Sequence, residues 1–248
     1  MRNVIRQWVI GIFYPYQCPF CRTIVGGGHP DLCASCRENI KKISEPRCKK
    51  CGRPIRVPEK EFCGDCEEKP HLYEEGMALY LYEGEVRKAV HRLKFQNQRV
   101  YGEIFGKAMA EAFEEKIKKW GVEAVIPVPM YKKKQRKRGY NQAELLAREV
   151  AQRLELPLLC DLVVRTRDTK PQKELTGKER ENNLKKAFLM VDDAVKLRKI
   201  LIVDDIYTTG STVDAMADVL KRHGVEAVYF ISLCIGQGEG DGCDDGRV

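Results

Sequence analysis

The stretch that decides the fold is KILIVDDIYTTGSTVDAMADVLKRHGVEAVYFISLCI, Lys199 to Ile235. Ile200 to Val203 form a continuous apolar run, as a strand buried on both faces requires. A helical pattern follows, stops at Gly224, and gives way to a second apolar run. Strand, loop, helix and strand in this order predict a parallel α/β sheet with right-handed crossovers. The chain leaves the first strand as Asp204, Asp205, Ile206, Tyr207, Thr208, Thr209, Gly210, Ser211 and Thr212. Ligands of open α/β sheets bind at that carboxyl edge.

The run Thr208 to Thr212 offers small side chains, hydroxyls and a glycine, and it enters a helix whose first N–H groups have no internal partners. That combination can cradle one phosphate. The two carboxylates before it can accept hydrogen bonds from the vicinal hydroxyls of a ribose. A plainer account stands beside this one, in which Asp204 and Asp205 cap turns and the Thr/Ser run is an ordinary helix cap. No Gly-x-x-x-x-Gly-Lys occurs, which argues against nucleoside triphosphate hydrolysis. Gly236, Gly238 and Gly240 follow a strand but precede acids rather than a helix, so they make no dinucleotide fingerprint.

Upstream, residues 85 to 118 have helical periodicity interrupted near Gln96 to Arg99. Residues 122 to 128 read as a short strand, 141 to 154 as an amphipathic helix, and about 159 to 166 as another strand; a polar stretch runs from Arg167 to about Lys186. Lys132, Lys133, Lys134, Arg136, Lys137 and Arg138 place six bases in seven positions. Such a run is either a solvated loop or a contact for polyphosphate or a nucleic-acid backbone. His91 and His223 fall on predicted helices and read as surface or packing residues.

The first 66 residues hold eight of the eleven cysteines, as Cys18/Cys21, Cys33/Cys36, Cys48/Cys51 and Cys63/Cys66. Eleven residues separate the pairs within each half, and the unit repeats at 30 residues. Two Cys-x-x-Cys turns supply the closed tetrahedral shell of a structural zinc, so two zinc ions are expected and an open catalytic zinc is not. Sequential and crossed partitions of the eight ligands both fit the spacing. Thiolate charge largely cancels the basic surplus of this region, so it is not an obvious polyanion magnet. Cys160 and Cys234 adjoin apolar runs and read as core thiols.

A length of 248 residues, 43% hydrophobic and 32% charged, fits a globular chain with a substantial core. The net charge is +8, and the tail Gln237 to Val248 is acidic, so the body is more basic still and suits anionic partners. No stretch is long and apolar enough for a membrane span. Val4, Ile5, Trp8, Val9, Ile12 and Phe13 recur at helical spacing, and the segment reads as a short packing helix rather than a membrane contact or signal peptide. The expected organisation is an N-terminal helix and double zinc ribbon over 1–72, an α/β domain over 73–236 and a mobile tail over 237–248.

The strand, the Asp-Asp pair, two spacers and Thr-Thr-Gly-Ser-Thr together resemble the ribose-5-phosphate loop of type I phosphoribosyltransferases. Pro127 to Pro129, then Arg138, Gly139, Tyr140, Asn141 and Gln142, Arg165 with Gln172 and Leu175, and Arg180 with Asn183 narrow the resemblance to the ComF competence family. The cysteine pairs resemble that family's double zinc ribbon. Tyr140 stands where the family more often has Phe, and Ser211 where it has Ala.

The resemblance implies a type I phosphoribosyltransferase fold, a central parallel sheet flanked by helices, behind the zinc ribbon. It implies that Thr208, Thr209, Gly210, Ser211 and Thr212 hold a 5-phosphate. Asp204 and Asp205 would take the ribose hydroxyls, and the turn of Val128, Pro129, Met130 and Tyr131 the pyrophosphate of phosphoribosyl pyrophosphate (PRPP) with Mg²⁺. Arg138 would join the aspartates in catalysis, and 167–183 would close over the site. It further implies a cytoplasmic role in natural transformation, with single-stranded DNA and a DNA-uptake helicase as partners. The alternative is a transferase of nucleotide metabolism or salvage with an unknown acceptor and no DNA role.

Overall fold

The computed structural model describes residues 16–26, 30–167, 187–191 and 196–236. The expected N-terminal helix, Gln172, Leu175, Arg180 and Asn183 of the closing segment, and the acidic tail lie outside the described residues.

Each cysteine-rich unit is built around a knuckle, and the backbone bonds of the two knuckles recur at the 30-residue period. Gln17 bridges Ile24 and Arg47 bridges Pro54. The Cys18 N–H donates to the Thr23 carbonyl and the Cys48 N–H to the Arg53 carbonyl. Arg22 and Gly52, one residue past the first Cys-x-x-Cys of each unit, both have positive φ. Short helices α1 (Ala34–Asn39) and α2 (Gly64–Glu68) carry the fourth cysteine of each unit.

The rest of the chain runs β1 (Glu75–Leu81), α3 (Gly84–Phe95), α4 (Val100–Trp120), β2 (Ala124–Pro127), α5 (Lys132–Arg138) and α6 (Gln142–Arg153). It continues with β3 (Val163–Arg165), β4 (Phe188–Met190), β5 (Lys199–Tyr207), α7 (Ser211–Arg222) and β6 (Ala227–Ile235). The central sheet has the order β1-β6-β5-β2, every neighbouring pair parallel, and β3 and β4 form a separate antiparallel pair. The expected parallel sheet is therefore present. The break in periodicity at Gln96 to Arg99 falls between α3 and α4.

Alternation along β5 distributes its side chains to two cores. Leu201 and Val203 join a cluster with α3, α4 and α6, while Ile200 and Ile202 join one with α7, β3 and β4. The first cysteine unit packs into the former cluster through Cys18, Phe20 and Leu32, the second into the latter through Cys48, Cys51, Ile55 and Cys63. Gly52 seals the second contact, since a Cβ there would lie 2.7 Å from the Met77 Cα of β1. Among the described residues no helix is long and apolar enough to cross a membrane.

Candidate functional site

The helices that follow the adjacent strands β2 and β5 lie on opposite faces of the sheet. α6 packs in the first cluster and α7 in the second, so a crevice opens between the strands at their carboxyl ends. Both proposed loops meet there, because Pro127 pairs with Val203 in register. The turn Val128 to Tyr131 is pinned from below. The Val128 N–H donates to the Val203 carbonyl at 2.9 Å, and the Asn141 side-chain amide donates to the Val128 carbonyl at 2.9 Å. The same Asn141 caps α6 by accepting from the Ala143 N–H. Val128 and Pro129 are buried, Met130 and Tyr131 half-buried.

Thr208 and Thr209 are exposed, Ser211 and Thr212 half-buried, and α7 starts at Ser211. Its N-cap is Gly210, which has φ 76° and no side chain to satisfy the N–H groups of the first turn. A Cβ at Gly210 would stand 2.6 Å from the Tyr207 Oη and 2.8 Å from the His71 Cε1. Glycine is thus demanded by the backbone and by the packing beneath the loop, not only by the approach of a ligand above it.

One expectation is corrected. Asp204 and Asp205 do not leave the strand as loop carboxylates: β5 continues to Tyr207, because β6 extends beside it and pairs Asp204 with Ser232, Ile206 with Cys234 and Tyr207 with Ile235. Both aspartates are buried, at 9% and 4% exposure. Lys94, at the end of α3, forms an ion pair with the Asp205 Oδ2, and the Gln142 amide donates to its Oδ1 at 3.1 Å. Asp204 accepts from the Asp205 N–H at 2.8 Å. Burial and the neighbouring Asp205 charge push the Asp204 pKa well up. Burial also acts to raise that of Asp205, but Lys94 and Gln142 outweigh it and hold the carboxyl below its ordinary value. The two carboxyls therefore titrate apart, one kept ionised and the other inclined to hold its proton.

The basic run is a helix rather than a loop, closed by Gly139 at φ 86°. Lys132, Lys133, Lys134, Arg136 and Lys137 are exposed. Arg138 turns inward, donating to the Gln142 side chain and lying 5.0 Å over the ring of Phe95, itself 64% exposed. Phe95, Arg138, Gln142, Asp205 and Lys94 thus form one connected array from the surface to the sheet edge.

The cysteines resolve into Cys18, Cys21, Cys33 and Cys36, and Cys48, Cys51, Cys63 and Cys66. Of the two partitions the spacing permits, the arrangement is sequential. The four sulfurs of each set lie within 4.8 Å of one another, with Cys21 and Cys33 3.5 Å apart and Cys51 and Cys63 3.6 Å apart. Four sulfurs at about 2.3 Å from one ion stand about 3.8 Å apart, so both sets fit tetrahedral zinc.

Several residues that support the site were missed from the sequence. Lys94 carried a signal: it lies four residues after Val90 on the face of α3 that buries Val86, Ala89, Val90 and Leu93. Arg53 and His71 carried none. Arg53, 3% exposed, pairs with Asp65 and donates to the Thr208 carbonyl at 3.1 Å. His71 Nδ1 is 2.8 Å from the Asp214 Oδ2 in the first turn of α7, and Tyr73 and Tyr207 share a hydrogen bond at 2.7 Å.

Comparison with known proteins matches residues 9–67 to a double zinc ribbon domain and residues 141–245 to a phosphoribosyl transferase domain. Competence protein F of Haemophilus influenzae is 32% identical over 227 residues, spanning 89% of this chain and 97% of that protein. DNA utilization protein YhgH of Escherichia coli is 29% identical over 226 residues, with the same coverage. Competence protein ComFC of Bacillus subtilis is 29% identical over 203 residues, covering 79% of this chain and 80% of its own length.

Proposed function

The chain belongs to the competence protein F family, and from that premise we propose that it binds PRPP or ribose 5-phosphate at the β5–α7 loop and acts on single-stranded DNA in natural transformation. The observation that carries the reading is the uncapped start of α7 at the β5/β2 crevice, where exposed hydroxyls and helix N–H groups converge beside a carboxylate pair. Thr208 to Thr212 take the 5-phosphate through backbone N–H groups and hydroxyls. Asp204 and Asp205 take the ribose hydroxyls, with Lys94 keeping Asp205 ionised as an acceptor. The Val128 to Tyr131 turn takes the pyrophosphate. Mg²⁺ bound with PRPP would neutralise charge on the leaving pyrophosphate.

Displacement at C1 of the ribose builds positive charge on the ring and negative charge on the leaving group. The fixed carboxylate of Asp205 suits the first and the half-buried guanidinium of Arg138 the second. Both tetrads hold structural zinc, which supplies cross-linking and no open coordination site. The five exposed bases of α5 form the nucleic-acid face. The relatives' names place those proteins in competence and DNA utilization, which favours this reading over a salvage transferase. A DNA-uptake helicase is the natural partner for such a role.

Calorimetric titration of the full chain with PRPP and Mg²⁺, alone and with single-stranded DNA, tests the proposal, with pyrophosphate release followed in parallel. Binding of PRPP is expected. Release only with an acceptor present identifies a transferase, binding without release a ligand-dependent DNA-handling factor. No binding of PRPP or ribose 5-phosphate would overturn the reading.

A further inference from the structure

The second cysteine tetrad and the proposed phosphate loop are joined through one buried side chain. Arg53 lies two residues after Cys51, and its guanidinium has three neighbours. Its Nη1 pairs with Asp65, which sits between ligands Cys63 and Cys66, and lies 3.9 Å from the Cys63 Sγ. Its Nη2 donates to the main-chain carbonyl of Thr208, the first residue of the loop, at 3.1 Å.

The segment leaving this unit reinforces the joint. The Leu72 N–H donates to the Asp214 Oδ1 at 2.9 Å while His71 bonds its Oδ2, and the His71 ring stacks on Tyr73 at 4.9 Å. Tyr73 in turn bonds Tyr207, and the packed His71 and Tyr207 leave Gly210 no room for a Cβ. On the ribbon side Gly52 presses against β1, and the Gly76 N–H donates to the Lys50 carbonyl at 2.8 Å. The loop therefore rests on the second unit, whereas the first unit packs against the opposite face of the sheet.

We infer that Arg53 is a positioning residue that couples metal at the Cys48, Cys51, Cys63 and Cys66 tetrad to ligand binding at Thr208 to Thr212. This rests on the phosphate-loop reading above and adds a regulation of that site. A tetrathiolate zinc centre is dianionic, and Arg53 is the cation set between it and the loop carbonyl. Without the metal the knuckle and α2 lose the cross-link that fixes Arg53 and Asp65, and the Thr208 carbonyl loses its charge-assisted donor. Thermodynamic coupling is reciprocal, so ligand on the loop must also tighten metal at the second tetrad and leave the first unaffected.

The test is zinc release from the full, zinc-loaded chain to a chromophoric chelator, with and without saturating ribose 5-phosphate, and calorimetry of ribose 5-phosphate on the same protein. In the parent, ribose 5-phosphate is expected to shift the equilibrium release of one of two zinc equivalents to the chelator by about tenfold or more, the scale of one charge-assisted hydrogen bond. Cys18→Ser with Cys21→Ser removes the other equivalent and identifies the protected one as the second tetrad. Arg53→Met should abolish the protection and weaken ribose 5-phosphate binding about tenfold with zinc loading unchanged, and Arg53→Lys should restore part of both. Binding without any change in release, or equal protection of both equivalents, overturns the coupling alone. Absence of binding by the parent overturns the phosphate reading and the coupling with it.

Discussion

Replacing Lys94 with methionine keeps the length and bulk of the side chain on α3 but deletes the cation facing Asp205. The Lys94 side chain is 19% exposed and that of Asp205 5%, so solvent reaches the carboxylate poorly and screens it little once the ammonium is gone. Breaking a buried pair from one side costs about 3–5 kcal/mol, against about 0–1 kcal/mol for an exposed pair such as Lys88–Glu85. For a chain of this size about 2–4 °C of melting temperature accompanies each kcal/mol, so a fall of about 6–20 °C is expected in zinc-replete buffer.

The pH dependence carries the signature. Asp205 has a lowered folded pKa, because Lys94 and Gln142 outweigh its burial. In the parent it therefore contributes stability that is present above the ordinary carboxylate range and is lost as pH falls through the folded pKa. Without the cation, burial is left to push the Asp205 pKa up. The variant then regains stability as pH falls from about 7 towards about 4 and the carboxyl takes a proton. The gap between parent and variant must narrow on acidification, and any loss of zinc at low pH, common to both proteins, cancels from the difference. Scanning calorimetry across that range measures it. A gap below about 1 kcal/mol at neutral pH, or one constant with pH, would refute the buried pair. Adding Asp205→Asn to Lys94→Met should recover most of the loss, since the stranded charge is gone.

Asp204 has the opposite sign: its raised pKa gives stability at low pH that is lost as pH rises, so Asp204→Asn should equal the parent near pH 4 and exceed it at pH 7. Urea titration at the two pH values checks this, and the same variant should bind ribose 5-phosphate more weakly. Gly210→Ala should cost about 1–3 kcal/mol, from its positive φ and the 2.6 Å approach to the Tyr207 Oη, and Tyr207→Phe in the same chain should return part of it. Neutralising Lys132, Lys133, Lys134 and Lys137 together should weaken single-strand binding without sequence preference and reduce the salt slope by about 0.7 per lost phosphate contact; an unchanged slope would leave α5 a solvated helix. Strong chelation should lower the melting temperature of the whole chain, because Cys18 and Cys48 lie in the same apolar clusters as the sheet.

What the sequence determined by itself is whatever is encoded over short distances. Ile200 to Val203, the Gly224 stop and the run Ile231 to Ile235 announce the β5–α7–β6 crossover, because apolar periodicity and helix stops are local properties. The 30-residue cysteine repeat announces two tetrahedral ligand sets for the same reason, since a Cys-x-x-Cys turn is itself the chelating unit. The pairing of those turns was a long-range matter, and only the folded chain chose the sequential arrangement.

Tertiary structure alone decided the electrostatics. Asp204 and Asp205 end a run that reads as a strand followed by a loop, yet their place in β5 depends on how far β6 extends beside them. Whether the pair is two anions or one anion and one acid depends on Lys94, more than a hundred residues away in the chain. Arg53 reads as one base among many in a cysteine-rich segment, and only docking of the second tetrad on the sheet carries it to the Thr208 carbonyl. Pattern in a sequence records which faces are apolar and which turns are tight. The state of a buried charge is set by the partner brought to it, and that partner comes from the fold.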